Sequence, residues 1–363
     1  MSKELNVSLV VGARPNFIKV APLVSQLEKH NFKVKLIHTG QHWDEKLSVD
    51  IFQDLNLREP DTHLETPKDS MNMQLGYMIQ KFDEYFTKNQ EDKLIGVVGD
   101  VTSTLAASVA TKNSGRSLFH IEAGLRSGNL LMPEERNRIM VDHISDICFA
   151  PCDNAVKNLV KENIDGHKIN LVGNIMIDSL LENLERIKAS FTEIKSNLGI
   201  NKEFFVVTLH RDENLKEEIL DEIFSGLNSF SQEYNIILPA HPRLKKFIES
   251  NSIDTGNIML VDSLRYVSFL SLVLNSKVCL TDSGGIQEET SILGVPCLTL
   301  REETERPITV DVGTNKVIGT KKAKIIDSIK LVLEADNYKK AKIPLWDGNT
   351  SKRIVNVLKE YYI

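Results

Sequence analysis

Three carboxylates and one histidine fall where chemistry would need them. Asp100 follows the apolar run LIGVVG (94–99), Glu122 follows SLFHI (117–121), Glu134 comes just after Met132-Pro133, and His210 follows FFVVTL (204–209). Carboxylates that share a site can divide acid and base roles, because unequal surroundings push their proton affinities apart. Each residue also has a plainer reading. Asp100 suits a helix cap. Glu134 and Glu135 would complement a helix dipole. Glu122 would pair with Arg126, and His210 would bond to backbone. Glu122 resists its plain reading, since glutamate is disfavoured in strands and costly when buried unpaired.

A second set of residues suits anions. Gly12-Ala13-Arg14-Pro15-Asn16-Phe17-Ile18-Lys19 follows the first strand. Pro15 fits the first turn of a helix, and Arg14 and Lys19 would flank its N-terminus. Thr281-Asp282-Ser283-Gly284-Gly285-Ile286-Gln287-Glu288-Glu289 follows KVCL. There Ser283, Gly284 and Gly285 leave N–H groups bare for a phosphate or diphosphate, and Glu289 lies within reach of ribose hydroxyls. Arg301 and Arg306 add positive charge after the next strand. His241, in PAHPR, reads equally as an anion contact or a structural histidine. His30, His63 and His167 read as surface residues. No G-x-G-x-x-G is present, so a nicotinamide or flavin fingerprint is missing.

The elements that must carry these residues alternate. Strands are expected at 7–11, 33–39, 94–99, 117–122, 146–151 and 169–173, then at 204–209, 235–240, 257–262, 277–282 and 296–300. Helices are expected between them, including one of about 20 residues over 176–197 and a last one over 351–361. Such alternation builds βαβ units and parallel sheets, and parallel sheets bind ligands beyond their strands' carboxyl ends. Two series imply two Rossmann-like domains joined near 171–178. The polar, proline-bearing stretch 58–70 is expected to be a mobile loop.

Composition agrees with this class. A chain of 363 residues holds two domains at about 150 residues each. With 44 basic against 50 acidic residues the net charge is −6, which argues against a bulk nucleic-acid binder. No apolar run approaches the roughly 20 residues of a membrane span. The N-terminus lacks the features of a signal peptide. Cys148, Cys152, Cys279 and Cys297 read as buried reduced thiols rather than a disulfide framework. A cytoplasmic protein without a membrane or nucleic-acid partner is expected.

At these motifs the sequence resembles the non-hydrolysing UDP-N-acetylglucosamine 2-epimerases. The likeness rests on GARPNFIK (12–19), TGQH (39–42), VGD (98–100), HIEAGLRSG (120–128), MPEERNR (132–138), VGN-x3-D (172–178), HR-x-EN (210–214), TDSGGIQEE (281–289) and TERP (304–307). It implies a GT-B α/β fold: two Rossmann-like domains with an active site in the cleft between them. The domains would be 1–173 plus 351–363, carrying the acid–base carboxylates, and 174–350, binding UDP. The implied reaction is reversible inversion at C2 of UDP-GlcNAc to give UDP-ManNAc for cell-surface polysaccharide synthesis. It runs through loss of UDP to a 2-acetamidoglucal and needs neither metal nor redox cofactor.

The resemblance assigns roles residue by residue. Asp100, Glu122 and Glu134 are acid–base groups. Lys19 and Arg14 steady the sugar and diphosphate, and His210 binds the diphosphate or helps the leaving group. Ser283, Gly284 and Gly285 hold phosphate, Glu289 holds ribose, Arg306 faces sugar or phosphate, and Phe269 stands where the family contacts uracil. Gln41 and His241 correspond to contacts for a second, activating UDP-GlcNAc, and a homodimer is implied. Four positions depart from the usual pattern. Asn16 stands where typical members have glutamate, a variant shared with relatives acting on other UDP-sugars. Leu264-Arg265-Tyr266 lacks the expected glutamine, and Trp43-Asp44 replaces Arg-Glu. The 60–75 segment has no arginine, which argues against activation by substrate. The competing readings are the same chemistry on a modified UDP-sugar such as a diacetamido-uronic acid, a hydrolysing epimerase, a GT-B glycosyltransferase and a UDP-sugar sensor.

Overall fold

The structure is a computed structural model that describes residues 5–41, 45–67, 69–335 and 339–362. His42, Trp43 and Asp44, which complete the TGQH motif and its departure, lie outside the described residues. The elements run β1 (Asn6–Val11), α1 (Arg14–Lys29), β2 (Lys33–His38), α2 (Glu45–Leu55), β3 (Thr62–His63), α3 (Met71–Lys88), β4 (Leu94–Val98), α4 (Thr102–Asn113), β5 (Ser117–Ile121), α5 (Pro133–Ile144), β6 (Ile147–Ala150), α6 (Asp153–Lys161), β7 (Ile169–Leu171) and α7 (Ile175–Glu182). They continue as α8 (Leu184–Ala189), α9 (Phe191–Asn197), β8 (Phe204–Thr208), α10 (Glu217–Asn228), β9 (Asn235–Ala240), α11 (Pro242–Ser250), β10 (Met259–Asp262), α12 (Tyr266–Asn275), β11 (Val278–Thr281), α13 (Gly284–Leu293), β12 (Cys297–Thr299), α14 (Pro307–Asp311), β13 (Asn315–Val317), α15 (Lys322–Glu334) and α16 (Thr350–Tyr362).

Two compact units result. The first is Met1–Glu182 with Pro344–Ile363, and the second is Asn183–Ile343. The first holds a seven-stranded sheet in the order β3-β2-β1-β4-β5-β6-β7, and the second a six-stranded sheet in the order β10-β9-β8-β11-β12-β13. All pairings are parallel, among them β1 with β4 and β8 with β11. Central strands such as β4 are buried along their whole length, as expected of sheets covered on both faces. The strand order reverses between β1 and β4 in the first unit and between β8 and β11 in the second. Right-handed crossovers then send successive helices to opposite faces, and a crevice opens at the carboxyl ends of those two strands.

Two expectations are corrected, and two further features are seen only in the structure. Residues 176–197 form three helices rather than one, broken at Asn183 and Ser190; the Ser190 hydroxyl donates back to Ile187 O at 3.2 Å, a local bond that competes with the helix ladder. The first break is also where the units divide. The stretch 58–70 contributes the edge strand β3, paired with β2 through Ile37–Thr62 and His38–His63. It is pinned by Asp61, whose carboxylate accepts the Leu36 N–H at 2.7 Å. The strand β13 and the short helix α14 carry too little apolar pattern to be read from the sequence. Finally, α7 packs on α1 and α16 within the first unit. Asp178 on α7 accepts the N–H groups of Thr350 and Ser351 at 3.1 and 2.7 Å, satisfying the bare donors at the start of α16. All four cysteines are free and buried. Among the described residues no helix is long and apolar enough to cross a membrane.

Candidate active site

In the first unit the crevice is shaped at the end of β1. A side chain on Gly12 would collide with Ser103, so the turn requires glycine. Asn16 then turns back. Its Oδ1 accepts the N–H groups of Gly12 and Ala13 at 3.0 and 2.9 Å, and its Nδ2 donates to Val98 O at the end of β4. Asn16 is therefore occupied in holding backbone, and Lys19 comes one turn later on the same helix face. The Lys19 ammonium pairs with the Glu122 carboxylate, and both side chains are buried.

Glu122 sits just past β5 with φ of +72°, a left-handed conformation that costs a non-glycine residue energy. Gly99, also left-handed at φ +69°, makes room opposite. A Cβ there would lie 3.4 Å from Glu122 Oε2 and 3.7 Å from Lys19 Nζ. Arg138 on α5 closes the set: its Nη2 lies 2.5 Å from Asp100 Oδ2 and 4.0 Å from Glu122 Oε2. Asn137 donates to the Asp100 carbonyl at 2.8 Å. Glu134, half-buried, stands one turn before Arg138 on the same face of α5. Its neighbour Glu135 is spent on backbone, accepting the Ser127 and Gly128 N–H groups.

These contacts decide between the readings left open above. Glu122 pairs with Lys19 and Arg138, not with Arg126, which joins Asp142 and Glu162 instead. Asp100 does not cap α4, whose N-cap is Val101. Arg14 is half-buried. Burial lowers the proton affinity of its guanidinium, against the opposing pull of Asp54 and Asp50 on α2. Gln41 reaches the start of α4, its Oε1 accepting from Ser103 N at 2.9 Å and Ser103 Oγ at 2.6 Å.

In the second unit the crevice is shaped by β8 and β11, tied by a 2.6 Å bond between the hydroxyls of Thr208 and Thr281. Just beyond, His210 Nδ1 lies 2.5 Å from Asp282 Oδ1. The histidine is half-exposed and the aspartate fully buried. Asp282 also accepts the N–H groups of His210 and Arg211 and the Asn214 side chain. Burial alone would raise the Asp282 carboxyl; the His210 charge and these hydrogen bonds outweigh it and hold the group below its ordinary value. His210 thus bonds to a carboxylate through its ring, beyond the backbone contact first weighed for it.

Ser283, the N-cap of α13, makes no side-chain cap, and the helix opens on Gly284 and Gly285. Its first N–H groups have no acceptor within the helix. Arg306 stands beside Gly284, 3.6 Å from a Cβ placed there, and its Nε bonds Glu288 at 2.7 Å. Glu289 is buried and accepts from the Tyr266 hydroxyl at 2.8 Å. Burial, with Glu289 beside it, pushes the Tyr266 phenol well up. Phe269 is half-buried on α12, three residues past Tyr266. His241 is exposed and caps α11 by accepting the Arg243 N–H at 3.3 Å.

Sequence reasoning gave no role to His120, Arg138, Asp282 or Tyr266. Arg138 could have been found as the residue four past Glu134, and His120 as the residue two before Glu122 in an otherwise apolar strand. Among the described residues no group of three or more His, Cys, Asp or Glu side chains is placed to hold a metal ion.

Two Rossmann-like units, each gathering its polar groups at the switch point of a parallel sheet, define an α/β fold of GT-B type. The sequence model of the UDP-N-acetylglucosamine 2-epimerase family matches residues 25–359. The chain is 37% identical over 362 residues to the UDP-N-acetylglucosamine 2-epimerase of Methanococcus maripaludis, covering 97% of this chain and 98% of the other. It is 34% identical over 335 residues to the UDP-2,3-diacetamido-2,3-dideoxy-D-glucuronate 2-epimerase of Pseudomonas aeruginosa, covering 91% and 92%. The crystal structure of the Methanocaldococcus jannaschii UDP-GlcNAc 2-epimerase in complex with UDP-GlcNAc and UDP matches with a TM-score of 0.91 at 35% identity, over 98% of this chain and 100% of that one. The chain belongs to the UDP-N-acetylglucosamine 2-epimerase family of isomerases.

Proposed function

We propose that the chain interconverts UDP-GlcNAc and UDP-ManNAc without net hydrolysis. The observation that carries this reading is the set of acid–base groups in the first unit. Asp100 and Glu122 are held by one arginine, with Lys19 on Glu122 and Glu134 one turn away on the same helix. In the forward direction the C1–O bond breaks and its electrons leave with UDP. A carboxylate takes the C2 proton, and the new C1–C2 double bond gives 2-acetamidoglucal. Reprotonation at C2 from the opposite face and return of the UDP oxygen to C1 complete the inversion. Two faces require two acid–base groups, which the carboxylates of the first unit supply.

The second unit supplies the groups for UDP. Ser283, Gly284 and Gly285 offer N–H donors to phosphate, Arg306 offers a cation beside them, and His210 assists departure of the diphosphate. Glu289 takes ribose hydroxyls, and Phe269 takes the uracil face. Arg14 contributes positive charge to the diphosphate. Gln41 and His241 match positions for a second UDP-GlcNAc, but the missing arginine in 60–75 argues against activation through them. The protein acts as a cytoplasmic homodimer supplying an amino sugar for cell-surface polysaccharide.

Proton NMR of UDP-GlcNAc with the purified protein in D2O tests this. Deuterium at C2 and UDP-ManNAc signals with little free UDP are expected. Accumulating UDP and free ManNAc would point to a hydrolysing enzyme. No change would overturn the substrate assignment; turnover of a UDP-2,3-diacetamido-uronic acid, the sugar in the name of the P. aeruginosa relative, would then replace it.

A further inference from the structure

Beneath the carboxylates lies a second polar group that the reaction above does not use. His120, on β5 two residues before Glu122, is fully buried, as is Asp142 on α5. Its Nδ1 lies 2.6 Å from Asp142 Oδ1, and its Nε2 lies 2.8 Å from the carbonyl oxygen of Gly99. A neutral imidazole has one donor and one acceptor nitrogen. Both neighbours here are acceptors. The carbonyl can only accept. The Arg126 guanidinium, 2.7 Å from Asp142 Oδ2 beside the Gly124 N–H at 3.0 Å, favours the ionised carboxylate, which assigns the proton between Asp142 Oδ1 and His120 Nδ1 to the ring. Arg126 is balanced in turn by Glu162 at 2.7 Å. A neutral ring would set a nitrogen lone pair against an oxygen in the buried interior, where the mismatch is costly.

The backbone atoms bound by this pair flank the acid–base groups. Gly99 immediately precedes Asp100, and Gly124 comes two residues after Glu122. Gly99, Glu122 and Gly124 all have positive φ, conformations that persist only where the surroundings hold them. Asp142 also stands four residues after Arg138 and eight after Glu134, so one face of α5 carries all three.

We propose that His120 is a positioning residue, held as a buried imidazolium that locks the Gly99–Asp100 and Glu122–Gly124 turns and so aims both carboxylates. The role rests on the epimerase reading. A displacement of about 1 Å in reacting groups costs on the order of 100-fold in rate, so the effect falls on turnover. UDP is assigned to groups of the second unit and to Arg14, none of which is a partner of His120, so its affinity is unaffected.

Two measurements test this. The first is nitrogen NMR of wild-type protein labelled in its histidine rings, with His120 assigned by backbone-to-ring correlations in the wild type. Two proton-bearing ring nitrogens of similar shift are expected; one bare nitrogen overturns the proposal. The second is steady-state kinetics with UDP binding. His120→Gln keeps a donor near the Gly99 carbonyl, and His120→Asn keeps one near Asp142; neither carries the charge. Both should lose about 100-fold in kcat with KM and UDP affinity nearly unchanged. A folded variant with wild-type kcat, or equal losses of kcat and UDP affinity, overturns the positioning role. If the variants do not fold, the ring's charge in the wild type decides. A wild-type protein inert toward every UDP-sugar would sink the epimerase reading instead, whatever the NMR shows.

Discussion

Arg138 reaches two carboxylates at once, and at the scale of single residues this contact separates binding from chemistry. With Lys19 it sets positive charge against Asp100 and Glu122. Glu122→Gln keeps the shape and removes one of the proposed acid–base groups. It should lower kcat by roughly 10²- to 10⁴-fold, the usual range for one acid–base group, and leave UDP affinity unchanged by calorimetry. A parallel loss of UDP binding would assign Glu122 to substrate holding. Arg138→Met removes a fully buried cation and leaves two carboxylates facing each other. It should cost about 3–5 kcal/mol in urea unfolding, as breaking a buried ion pair does. Full stability with full activity would show that the arginine is dispensable.

Elements set the directions of these side chains. Glu122 keeps φ +72° just past the end of β5, where its N–H donates to Phe149 O of the adjoining β6 at 3.1 Å. The helix α16 returns to the first unit because Asp178 on α7 accepts its first N–H groups and its Ser351 hydroxyl. Asp178→Ala should cost about 1–2 kcal/mol, the upper range for a lost helix cap. Hydrogen exchange should locate the loosening in α16 and not in the second unit. Exchange that rises equally in both units would contradict this division of the chain.

At the scale of the whole molecule, acid stability reports on buried groups in both units. His38 is buried, accepts the Gly40 N–H at Nδ1 and stacks on Phe17. Burial, then the neighbouring His63, lowers its pKa to about 4. The folded protein thus keeps His38 neutral where the unfolded chain, near 6.5, takes up a proton. Its contribution is complete above about pH 6.5 and is lost as pH falls toward 4, on the order of 3 kcal/mol in all. His38→Asn, which keeps an acceptor for Gly40, should flatten the stability profile over that window; an unchanged slope would refute the assignment. Asp142 and Asp282 are also held below their ordinary values. In each, burial opposes the shift, while His120 and Arg126 for the first and His210 for the second outweigh it. Their stabilisation is present above the ordinary aspartate value and is lost as the pH falls below it. It therefore persists through the window in which His38 titrates.

What the sequence determined by itself was local and periodic. Alternating short apolar runs and amphipathic stretches specified two series of βαβ units. Glycines and charges at the strand ends marked Gly12, Asp100, Glu122, His210 and the Ser283–Gly285 turn before any contact was known. Residue type and short spacing are enough there, because strand, turn and helix start are decided within a few positions. The tertiary structure alone decided the partners. Arg138 meets Asp100 across 38 residues, Asp282 meets His210 across 72, and Asp178 caps a helix more than 170 residues away. It also divided the expected 176–197 helix and gave the 58–70 stretch a strand. These outcomes depend on strand order: β4 lies beside β1, and β11 beside β8. Only that adjacency brings distant charges together at the crevice of each unit, where pairing decides which partners a group meets.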